Sequence, residues 1–109
     1  MDITSVAHRP KISQNFSEAV SSYCREQGLR EHVTNAIDLV QQVFSSIEAS
    51  SVDLADDPDG EDVRVVIGVS VASSADKAFA EYDQFVTRWV DAAPWVARRL
   101  IRLSYNTVK

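Results

Sequence analysis

A chain of 109 residues, 45% hydrophobic and 25% charged, has the size of one globular domain and can bury a core without staples. Cys24 is the only cysteine, which excludes an internal disulfide, and no apolar run approaches a secretory signal or the ~20 residues of a membrane span. A reducing cytoplasm is the expected compartment, and the net charge of −5 argues against nucleic acid or anionic membrane as partner of the bulk surface.

Residues 1–12, with His8, Arg9, Pro10 and Lys11, lack periodicity and read as a loose N-terminal arm ahead of a single α+β domain over 13–109. Asn15 with Glu18 three residues on resembles a capping box. Phe16, Ala19, Val20, Tyr23 and Cys24 then predict a short helix, stopped by Gly28. A second helix is predicted from Leu29, because Leu29, Val33, Ala36, Ile37, Leu39, Val40, Val43, Phe44 and Ile47 recur at helical spacing. The period changes after about Ser46.

Val52 and Leu54 alternate with Ser51 and Asp53, as in a strand. Asp56 to Glu61 (DDPDGE) has the residues of a tight turn. Val63, Val65, Ile67, Val69 and Val71 then alternate through the clearest strand in the chain. Folding the two strands about the turn sets Leu54 opposite Val63, Val52 opposite Val65, and Asp53 opposite Arg64 on the other face. Two strands alone are marginal in water, and the second would present an open edge. A homodimer joined through the hairpin edge is therefore expected.

From Ser74 to Ala93 the period is again helical. Ala75, Ala78, Phe79, Tyr82, Phe85, Val86, Trp89, Val90 and Ala93 fall within an arc of roughly 140° at 100° per residue. This stripe holds four of the nine aromatics and is expected to be the main beam of the core, capped by Ser73 or Ser74. Pro94 is expected at the first position of a final short helix.

Most candidate chemistry reduces to ordinary structure. Setting Gly60 at the sixth position of a calcium loop leaves Ala55 and Val66 where the end ligands belong, so the acidic loop reads as a solvated turn. His8, Cys24 and His32 lack zinc-ligand spacing. Cys24 with His32 is the one conceivable nucleophile–base pair, but Cys24 lies toward an apolar helix side, where a thiol behaves as a small hydrophobe. Gly28, Gly60 and Gly68 are too far apart to cradle a phosphate. No cofactor or metal is expected.

The segment PWVARRLIRLSYNTVK carries four bases and no acid, whereas residues 52–93 carry ten acids against three bases. Projected as a helix, Val96, Ala97, Leu100, Ile101 and Leu103 form its buried side. Trp95, Arg98, Arg99 and Arg102 then gather on the other, within roughly 100°. Such a face fits local cation–π packing on a solvated surface. It equally fits an interface anchor, since Trp and Arg are frequent hot-spot residues. A small nucleic-acid contact, with Trp95 or Tyr105 stacking on a base, is a third use.

The run from DPDGEDVRVVIGV through YDQFVTRWV to RRLIRLSYNTV resembles the C-terminal half of short bacterial proteins of unassigned function, over about residues 57–108. The resemblance implies a bacterial, cytosolic, non-catalytic origin and carries no site residues.

The expected fold is α+β: two N-terminal helices, a β-hairpin, a long amphipathic helix and a short C-terminal helix. The expected function is a small non-catalytic interaction module, self-associating and docking a protein partner through Trp95, Arg98, Arg99 and Arg102, as an accessory or antitoxin-like subunit would. The alternatives are a small enzyme with a carboxylate-rimmed aromatic pocket near Asp83, or nucleic-acid binding through the basic segment.

Overall fold

The computed structural model describes residues 17–56 and 63–108. The elements are α1 (Glu18–Gln27), α2 (Arg30–Val43), β1 (Ile47–Asp56), β2 (Val63–Val71), α3 (Ala75–Ala92), α4 (Trp95–Leu100) and β3 (Ile101–Thr107). The arm over residues 1–12, Asn15, and turn residues 57–62 lie outside the described residues.

Local chemistry accounts for most helix ends. The Ser17 side chain accepts a hydrogen bond from the Val20 N–H, so Ser17 rather than Asn15 caps α1. Gly28 ends it at φ 68°, with its N–H donating to Arg25 O and the Leu29 N–H donating to Cys24 O. That double closure needs a left-handed residue, which glycine adopts without a steric penalty. Ser74 caps α3 by accepting from the Lys77 N–H. Pro94 occupies the cap of α4 rather than its first helical position, with ψ at 162°. The second helix stops at Val43, earlier than its apolar spacing predicts; Phe44 is extended and Ile47 already opens β1.

The sheet has three strands in the order β1-β2-β3. Val65, Ile67, Val69 and Val71 are buried against the helices, as the alternation in β2 requires. On the same side Val33, Ile37 and Val40 of α2 meet Phe85 and Trp89 of α3 in one core. The opposite face of the sheet has no buried residue among those described.

Two expectations about the sheet are corrected. β1 and β2 pair two residues out of the expected register: Leu54 faces Val65, Val52 faces Ile67, and Asp53 faces Val66 rather than Arg64. A shift of two keeps every side chain on its face, so burial by alternation does not distinguish the registers. The second strand is also not an edge. β3 runs parallel along it from Val65↔Ile101 to Val71↔Thr107, so β2 is central and the premise for joining copies through it is removed.

The C-terminal segment is the source of that strand. A helix continuing past Leu100 was expected; instead α4 ends there, and Ile101, Leu103 and Tyr105 turn toward the helices by strand alternation. No helix of the described residues is long and apolar enough to cross a membrane.

Candidate functional site

The strand geometry splits the expected arginine face. Arg98 and Arg99 lie on α4, both exposed, while Arg102 lies on β3 opposite Val66, on the sheet face away from the helices. Val96, expected on the buried side, is exposed. Trp95 is 66% exposed, and the Arg99 guanidinium sits over its ring, 5.4 Å from the centroid. At an exposed site that contact contributes ~0.5–1 kcal/mol. The contact is a local one between Trp95 and Arg99 on α4.

Arg98 and Arg102 come together elsewhere. They line a cleft of about 190 Å³ between α3 and β3. Ile67, Phe85, Trp89 and Leu103 lie at its apolar base, with Tyr82, Val86 and Val90 on the α3 side. No acidic residue lines it. A second crevice, between α2 and α3, holds both Asp38 and Arg88 over Leu39 and Trp89, so its charges are mixed.

The wall contributed by α3 is only partly covered. Of the nine-residue stripe, Ala78, Phe85, Trp89 and Ala93 are buried, and Tyr82 and Val86 are half-buried. Phe79 is 61% exposed and Val90 49% exposed. Phe79, Val86 and Val90 lie within roughly 40° of one another on the helix, with exposed Asp83 among them, and Val86 and Val90 border the cleft. Single exposed apolar residues are ordinary, but an aligned set beside a strand that forms an edge of the sheet among the described residues is the pattern of an interaction surface.

Cys24 and Asp83, weighed for catalysis, stand one in the core and one on the surface. Burial pushes the Cys24 thiol above its ordinary pKa, against a smaller opposing effect from Arg30. A thiol held neutral is a poor nucleophile. Asp83 is exposed, and its backbone carbonyl accepts from the Thr87 hydroxyl; it does not line the aromatic cleft. Among the described residues no three His, Cys, Asp or Glu side chains come together as a metal site, and His8 lies outside them.

The cleft was missed in the sequence because it depends on β3. The signal was present: Ile101-Arg102-Leu103-Ser104-Tyr105-Asn106-Thr107 alternates strictly, a strand pattern that the preceding helical run obscures. No protein family matches this chain, and neither a curated protein nor a solved structure does.

Proposed function

We propose that this chain is a non-catalytic interaction module that docks a protein partner in the cleft between α3 and β3. One observation carries the reading: a cleft with an apolar base whose two charged residues, Arg98 and Arg102, are both cationic, beside the exposed flank of Phe79 and Val90. Apolar anchorage with arginines at the margin is the composition of an interface hot spot. The cleft is bordered by Arg98 and Arg102 and by no acidic residue, which favours docking over the enzyme alternative.

Affinity capture from the native cell compares wild type with the variant carrying Arg98→Ala and Arg102→Ala, with Arg25→Ala as a control for lost surface charge. A stoichiometric partner retained by wild type and the control, but lost from the double variant, supports the reading. Recovery of the same proteins by all three overturns it.

Self-association is a second reading, favoured by β1 and β3 being the two edges of the sheet among the described residues. Sedimentation of the isolated chain tests it: a dimer at micromolar concentration supports it, and a monomer removes it.

A further inference from the structure

Resting on the docking reading, we infer that the occupant of this cleft adds to β3 as a fourth strand, as an extended protein segment with apolar residues on one face and acidic residues on the other.

The phase of β3 is fixed by one hydrogen bond. The Val108 N–H donates to Val71 O, so peptide groups of the same parity face β2. Groups of the opposite parity, at Leu103, Tyr105 and Thr107, therefore point away from the sheet. These residues pair with Ile67, Val69 and Val71, whose side chains face the helices. An added strand would thus set its bonded residues beside Leu103 and Tyr105 and aim their side chains at the flank of Phe79, Val86 and Val90. The intervening residues would fall on the open face, beside Arg102.

The two edges differ in how they are protected. β1 has a register irregularity between Ile47 and Ala49, and carries Glu48, Asp53 and Asp56. Bulges and charges of this kind deter strand addition. β3 pairs without a break over seven residues, contains no proline, and has Arg102 as its only charge. Its edge invites a partner, and its charge selects an acidic one by cross-strand pairing.

Charge also argues against a second copy as occupant. Pairing β3 with itself would bring two clefts together, each lined by Arg98 and Arg102 and by no acid. An acidic-apolar segment meets the same surface with opposite charge.

The test uses the full chain and three peptide probes: acetylated and amidated EVEVEV, KVKVKV, and EVEVEV with N-methyl groups on the amides that would face β3. The readouts are binding by titration and exchange of the Leu103, Tyr105 and Thr107 amides by NMR. EVEVEV is expected to bind and to slow exchange of those amides about tenfold or more. KVKVKV and the methylated peptide are expected to bind about tenfold more weakly or worse, and Arg98→Glu with Arg102→Glu to reverse the preference toward KVKVKV.

Binding that survives methylation and leaves the three amides unchanged overturns strand addition while the docking reading stands. Failure of EVEVEV to bind at about 1 mM overturns the inference, and the capture comparison then judges docking separately. Protection of the same amides that rises with protein concentration alone overturns it in favour of a second copy.

Discussion

The Tyr82 ring of α3 stacks on the Tyr105 ring of β3, with centroids 4.9 Å apart and planes inclined by 30°. Tyr105 also meets Phe44, just past the end of α2, at 6.1 Å. One side chain of the last strand thus fastens it to both long-helix regions. Tyr105→Ala is expected to destabilise by ~2–4 kcal/mol, from lost aromatic contacts and the cavity left behind. Urea denaturation followed by circular dichroism measures the cost. A midpoint close to wild type would mean that the backbone ladder alone holds β3.

Trp89 is 8% exposed and stacks on Phe85 at 6.1 Å, whereas its neighbour Val90 is half exposed. Trp89→Ala should cost ~3–5 kcal/mol. Val90→Ala should stay within ~0.5 kcal/mol, as substitutions outside the core usually do. Equal effects of the two in thermal or chemical denaturation would contradict the burial pattern of α3.

Replacing Arg98 and Arg102 by Ala should leave stability within ~0.5 kcal/mol of wild type, because both side chains are exposed and neither belongs to the core. Arg99→Ala should cost ~0.5–1 kcal/mol through the Trp95 contact. Denaturation of the two variants beside wild type ranks these effects. Unfolding of the double variant would show that the cleft arginines are structural.

Cys24 gives a dependence on pH. Burial raises the thiol pKa in the folded chain above its unfolded value. The neutral form is therefore favoured by folding, and its contribution is fully present below the unfolded pKa. As pH rises past that value the unfolded thiol ionises first, so stability falls by up to ~1.4 kcal/mol per pH unit until the folded pKa is reached. Denaturation at mildly alkaline pH should show this slope in wild type and not in Cys24→Ala. Alkylation of Cys24 in the native chain should be slow and should accelerate with denaturant.

Where one signal dominates, the sequence and the structure agree. Gly28 ends the first helix, Ser74 caps α3, and the valines of β2 face inward, because glycine, serine and strict alternation each leave few choices. Register is different: Asp53 beside Arg64 looks favourable, yet a two-residue slip costs no burial, so alternation alone leaves it open. The C-terminal segment went astray for a related reason. Leu100 and Ile101 satisfy a helical stripe and a strand alternation at once, and only tertiary contact with β2 decides between them. The cleft inherits that ambiguity, since Arg102 and Leu103 border it beside Ile67 only when Ile101–Thr107 is a strand.

Because β3 lies parallel to β2, its Asn106 meets Ser70, 36 positions earlier in the chain. Antiparallel β1 and β2 are joined by residues 57–62, whereas the second pairing spans α3 and α4. In a chain whose β3 is not yet in place, VRVVIGVSV would be bare on one side. A valine-rich strand with Arg64 as its one charge is a template for intermolecular β-pairing. The terminal strand thus acts as an internal guard against aggregation. A chain cut after Leu100 should accumulate in inclusion bodies, and slower synthesis at lower temperature should favour recovery of the intact chain.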